Sequence, residues 1–137
     1  MADVLFKTEP TEYSFADLQA KGGGTWDGVK NPVALRNMRD MAKGDRVFVY
    51  HTGSEKAVVG LARATSAAYP DPKAPAGSSL VVIDLAPVAA LHQPVTLATL
   101  KAEAEFESSP LVRQGRLSVV PLTPKQAALI EKLGGRK

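Results

Sequence analysis

The chain has 137 residues, 45% hydrophobic and 23% charged, with a net charge of +3 and a pI near 9.3, the size and balance of one globular domain. It contains no cysteine, which excludes disulfides, thiol nucleophiles and cysteine-ligated zinc. No apolar run reaches the length of a membrane span or a signal peptide, so a single cytoplasmic, monomeric domain over residues 1–137 is expected, with no membrane association.

The elements follow in chain order. Val4-Leu5-Phe6-Lys7-Thr8 reads as a first strand, ended at Glu9-Pro10 because proline cannot continue a ladder. Ser14 is placed to cap a short helix through Phe15, Leu18 and Lys21, which Gly22-Gly23-Gly24 stops. Trp26 then falls in a loop between helices. Asn31-Pro32 opens a second helix, with Ala34, Leu35, Met38 and Met41 on its apolar side and Arg36, Arg39, Asp40 and Lys43 outside. The β-prone run Arg46–His51 is a strand, Thr52–Lys56 a hairpin loop, and Ala57–Thr65 the returning strand.

Tyr69–Gly77 is a proline-rich loop, too short to separate domains. Leu80–Leu91 is another strand, in which Pro87 requires an edge or a bulge. Thr96 to about Glu105 reads as a third helix and Leu117–Leu122 as a closing strand. Thr123-Pro124 caps a last helix that Gly134-Gly135 ends. Five strands with peripheral helices and no βαβ rhythm predict an α+β domain on a small β-barrel, closed so that no edge is left and open at one end for a slot.

The chemistry available is that of binding more than of turnover. No nucleophile elbow, phosphate-cradling glycine loop or paired metal-ligand histidines occur, so neither a metal nor a cofactor is expected. His51 and Glu9 are the candidates for a general base in a rival reading as a nucleotide-processing enzyme. A satisfied structural role is the commoner fate of such a histidine. His92, before Gln93-Pro94, is expected in solvent. Trp26, the one tryptophan, offers a planar wall on which a base can stack for about 1–3 kcal/mol. It serves equally well as a core corner whose indole N–H meets a backbone carbonyl. Thr8, Glu9, Asn31, His51 and Ser118 offer polar edges, and Lys7, Lys30 and Arg116 cationic groups. Basic residues gather at Lys30, Arg36 and Arg39, at Lys43 and Arg46, and at Arg113 and Arg116.

Three segments carry a resemblance: Leu5–Pro10 with Tyr13-Ser14-Phe15; Thr25-Trp26-Asp27-Gly28-Val29-Lys30-Asn31-Pro32; and Gly44–Thr52. Val58-Val59-Gly60, Ala68–Pro72 and Leu111–Val119 continue it in the same order. This pattern resembles the EVE domain family of the PUA-like superfamily. The resemblance implies a PUA-like barrel and a non-catalytic role in binding nucleic acid, DNA or RNA, with a modified base flipped into an aromatic pocket. It implies that Thr8, Glu9, Trp26, Val29, Asn31, His51, Arg116 and Ser118 surround one pocket. Lys7, Lys30 and Arg36 are the expected phosphate contacts, with Arg116 a further cation for flanking phosphates. Two positions depart from the family. Asp3-Val4 stands where an aromatic pair is frequent, removing a wall. Lys30 replaces the usual arginine, keeping the charge but losing its planar two-pronged fork. A small-molecule or scaffold domain is the remaining alternative.

Overall fold

The computed structural model describes residues 2–135. At its centre lie two strands apolar on both faces, β1 (Asp3–Thr8) and β3 (Arg46–His51). Leu5, Phe6, Val47, Phe48 and Val49 are wholly buried, as continuous apolar runs require of strands covered on both sides. The two pair in parallel, Leu5 opposite Phe48, because the long connection between them carries two helices and a strand. The other pairings are antiparallel. β3 returns through the 52–56 hairpin to β4 (Ala57–Ala64), which pairs with the long β6 (Val81–Thr96). β6 also receives two short strands, β2 (Gly24–Trp26) and β5 (Tyr69–Pro70), and β7 (Val119–Leu122) pairs with β1.

The order β2-β6-β4-β3-β1-β7 makes a curled, mixed, PUA-like α+β sheet. It corrects two expectations. There are seven strands among the described residues where five were expected, since β2 and β5 are too short to show an alternating pattern. The ladder also stays open, with β2 and β7 at its ends. Helix α2 (Pro32–Arg39) packs on both β6 and β7 across that opening, and the Asn37 side-chain amide donates to Val119 O at 2.9 Å. The gap is bridged by a helix rather than by a ladder.

Helix α1 (Phe15–Lys21) forms as its capping residues dictate. Ser14 accepts from Asp17 N–H, and the Asp17 carboxylate accepts in turn from Ser14 N–H at 2.8 Å. Those bonds hold Asp17 below the usual carboxylate range. Gly22 ends the helix at φ +70°, a conformation that favours glycine. The helix is seated by Phe15, whose ring lies against Gly60 on β4, where a Cβ would come within 2.5 Å of it.

Pro87 lies within β6 opposite Ala62, beside a register shift between Leu61 and Ala62, so the bulge is what accommodates it. The expected third helix is shorter, α3 (Leu97–Lys101), followed by a separate 3₁₀ turn at Ala104–Phe106. Helix α4 (Pro110–Arg113), capped by Ser109, has no counterpart in the sequence reading. Helix α5 (Pro124–Gly134) opens on a Thr123–Gln126 capping box and packs on β6 and β7. Met41 is buried just beyond the end of α2 rather than on it.

Candidate nucleic-acid interface

A cleft of about 570 Å³ opens where the end of β1, the loop before α1, strand β2 with its following loop, and the approach to β7 converge. Lys7, Thr8 and Glu9 enter it from β1, Tyr13 from the loop, Trp26, Val29 and Lys30 from β2 and beyond, and Ser118 from the β7 side. Such a volume, half enclosed by polar and aromatic groups, suits a planar small-molecule-sized ligand.

The aromatic part is a stack built from different elements. Trp26 closes β2 rather than lying in a loop, and is 7% exposed. Its ring packs at 5.5 Å and 50° on Phe6 of β1, and meets Tyr13 edge-on at 5.8 Å and 82°. Both earlier readings of Trp26 contribute: most of the ring is core, and its margin belongs to the cleft. The indole N–H finds no acceptor among the described residues, yet it is not sealed from solvent. The donor is therefore accessible, on a residue that lines the cleft. Lys21 Nζ lies 5.2 Å from the Tyr13 ring centroid. Burial, followed by the Asp17 and Asp27 charges, pushes the Tyr13 phenol up, so it remains a neutral donor at physiological pH.

Each polar group of the β1 end is fixed by the fold. Thr8 Oγ1 donates to Tyr13 O at 2.6 Å, which closes the 9–13 turn and leaves the hydroxyl oxygen as an acceptor. Glu9 Oε2 accepts from Thr52 Oγ1 at 3.1 Å and Oε1 from Thr11 Oγ1 at 3.3 Å. A carboxylate has about four lone-pair sites, so these neutral donors leave acceptor capacity facing the cleft. Glu9 makes no ion pair among the described residues, although Lys7, Lys21 and Lys30 share the cleft. Lys7 Nζ donates to Gly115 O at 2.9 Å and lies 5.6 Å from the Tyr50 ring centroid, and burial pulls its pKa down from 10.5.

The eight residues that the resemblance grouped around one pocket are divided by the structure. Thr8, Glu9, Trp26, Val29 and Ser118 line the cleft, as do Lys7 and Lys30. Asn31 and Arg116 line a second, smaller concavity beside it. Arg36 is exposed on α2 and lines neither. His51 is 7% exposed and lies behind the cleft wall. Its Nε2 accepts from Phe15 N–H at 3.0 Å and its Nδ1 faces Glu55 Oε1 at 2.9 Å, so both ring nitrogens serve the fold. A backbone N–H directed at Nε2 places the ring proton on Nδ1. Val4, where an aromatic wall was expected to be missing, is core between Val47 and Pro121 and lines no part of the cleft.

The cleft lining also takes in Glu12, Tyr13, Lys21, Thr25 and Asp27, none of which was expected as a site residue. Tyr13 lies in the loop before α1 and Lys21 is the last residue of that helix; the sequence signal for Tyr13 is its place in a segment that carries the family resemblance.

The fold agrees with comparison to known proteins. A profile of the EVE domain matches residues 4–133. The chain belongs to the EVE domain family. A protein of Rhodopseudomonas palustris solved by NMR is 40% identical, with a TM-score of 0.91 covering 98% of this chain and 94% of that one. Human THYN1, solved in complex with DNA containing 5-methylcytosine, superposes at a TM-score of 0.89 with 24% identity, over 100% of this chain and 99% of that one. Human thymocyte nuclear protein 1 is 35% identical over 79 residues, which span 49% of this EVE domain but only 35% of the human protein. No helix among the described residues is long and apolar enough to cross a membrane.

Proposed function

We propose that this EVE domain binds a modified base of DNA or RNA in the Trp26 cleft and does not transform it. The observation that carries the reading is the Phe6–Trp26–Tyr13 stack, which gives an aromatic margin to a cleft whose lining also includes the Glu9, Glu12 and Asp27 carboxylates, with an unshared indole N–H on Trp26. A base needs a planar surface and edge-directed donors and acceptors. Tyr13 and Trp26 supply the surface. The Trp26 N–H donates to a carbonyl or ring nitrogen, Glu9 accepts from an exocyclic amino group, and Thr8 and Ser118 contribute hydroxyl groups. Lys7 and Lys30 face the phosphates on either side. That THYN1 has been solved with 5-methylcytosine DNA supports the choice of ligand class.

The absence of chemistry is part of the proposal. His51 has both nitrogens engaged, and Glu9 is held by neutral hydroxyls without a histidine or second carboxylate bonded to it. Fluorescence anisotropy against a panel of oligonucleotides, each with one modified base in a constant sequence, tests the reading. One modification bound at least tenfold more tightly than the unmodified control is expected. Uniform affinity across the panel, or turnover of any member, would overturn it.

A further inference from the structure

The second concavity, about 300 Å³, is lined by Asn31, Val33, Gln114, Gly115, Arg116 and Leu117. It abuts the Trp26 cleft along two chain steps, Lys30-Asn31 and Leu117-Ser118, and the Lys7 Nζ to Gly115 O bond forms the ridge between them. Its floor includes Val33, 38% exposed and one of two large exposed hydrophobic residues among the described residues. Its rim carries the Arg116 guanidinium and the Gln114 amide. Arg36, one turn beyond Val33 on α2, stands beside it. Neither arginine has a carboxylate partner among the described residues. An apolar floor with amide and unpaired cationic groups, continuous with a base-sized cleft, has the composition that one nucleotide requires: a face for the base and charge for its phosphate.

We infer that this concavity is a subsite for the nucleotide next to the one read in the Trp26 cleft, on the same strand. Val33 and Leu117 carry its base, and Arg116 and Arg36 hold the connecting phosphate. The inference rests on the base-reading proposal for the adjoining cleft. It adds that recognition spans two nucleotides at least, and that the second is held without regard to modification.

The test uses the whole chain with three probes: free 5-methyl-2′-deoxycytidine, a single-stranded DNA pentamer with 5-methylcytosine at its centre, and the unmodified pentamer. Val33→Asp puts a negative charge on the floor at the second residue of α2, where the helix dipole favours a carboxylate and folding is preserved. Arg116→Gln is the second variant, at an exposed residue that makes no ion pair among the described residues. Val33→Asp is expected to weaken both pentamers at least tenfold, and Arg116→Gln about threefold or more, while the free nucleoside binds each variant as it binds the wild type. Pentamer affinities unchanged in both variants would overturn the subsite, as would equal weakening of nucleoside and pentamer. A wild-type dimer that Val33→Asp dissociates would also overturn it, making the concavity a self-association surface. Equal binding of modified and unmodified pentamers by the wild type would separately exclude 5-methylcytosine as the base read in the Trp26 cleft. No binding of any probe would overturn the subsite and exclude 5-methylcytosine as the base read.

Discussion

Phe15 N–H donates to His51 Nε2 at 3.0 Å, so a side chain at the end of β3 secures the first turn of α1. The contact ties the central sheet to the helix that starts two residues after Tyr13 and ends on Lys21, both of which line the cleft. His51→Ala leaves a buried N–H without an acceptor, a loss of about 1–3 kcal/mol. Urea unfolding should show that loss, and base preference should stay as in the wild type because His51 does not reach the ligand. A normal stability with an altered preference would place the imidazole in the cleft instead.

Trp26 separates stability from recognition. Trp26→Ala removes a nearly buried ring and should cost about 3–5 kcal/mol of stability. Trp26→Phe retains most of the packing on Phe6 and Tyr13 but deletes the donor, so binding should fall by about 1 kcal/mol, the worth of one hydrogen bond, with folding largely kept. Calorimetric binding beside thermal unfolding of the two variants checks both halves. Phe at this position binding as tightly as Trp would remove the indole N–H from the account.

Glu9 sets which edge is accepted. Thymine and 5-methylcytosine share the 5-methyl group and differ where one presents a carbonyl and the other an amino group. A carboxylate accepts only, so the domain should prefer 5-methylcytosine to thymine in the same oligonucleotide. Glu9→Gln, which can donate and accept, should erase that preference. Discrimination that survives the substitution would assign amino-group recognition to another residue.

Lys7 gives the account a pH dependence. Burial lowers its pKa in the fold, so its positive charge is lost at a lower pH than an ordinary lysine would lose it. Oligonucleotide affinity should therefore weaken on going from neutral pH toward the ordinary lysine value of 10.5. Lys7→Arg, which stays protonated, should delay the weakening. Identical pH profiles for the two proteins would show that Lys7 holds no phosphate. In the same assay Lys30→Ala should flatten the slope of log affinity against log salt by about 0.7, the single-strand value for one phosphate contact.

Much of this fold was legible because its elements begin and end on strong local signals. Ser14, Asn31 and Thr123 cap three helices as read from sequence, and the apolar runs at β1 and β3 are the buried strands expected. What was missed depends on distant partners. β2 is three residues long and exists because Ile83–Leu85 of β6 lies alongside, so Trp26 looked like a loop residue. His51 looked like an edge reader because nothing local reveals that Phe15 N–H, 36 residues earlier, is bonded to it. Asn31 was read correctly as a cap, its Oδ1 accepting from Val33 and Ala34 N–H. The same chain step from Lys30 carries it out of the cleft and into the neighbouring concavity.

The presence of one tryptophan makes the central claim directly observable, because ¹⁵N-labelled protein gives a single indole N–H resonance. Titration with a single-stranded oligonucleotide carrying the preferred modified base should shift that resonance saturably, and the unmodified oligonucleotide should do so only at much higher concentration. The indole resonance unmoved while backbone amides elsewhere respond, or moved equally by both oligonucleotides, would contradict the Trp26 cleft as the site where the modified base is read.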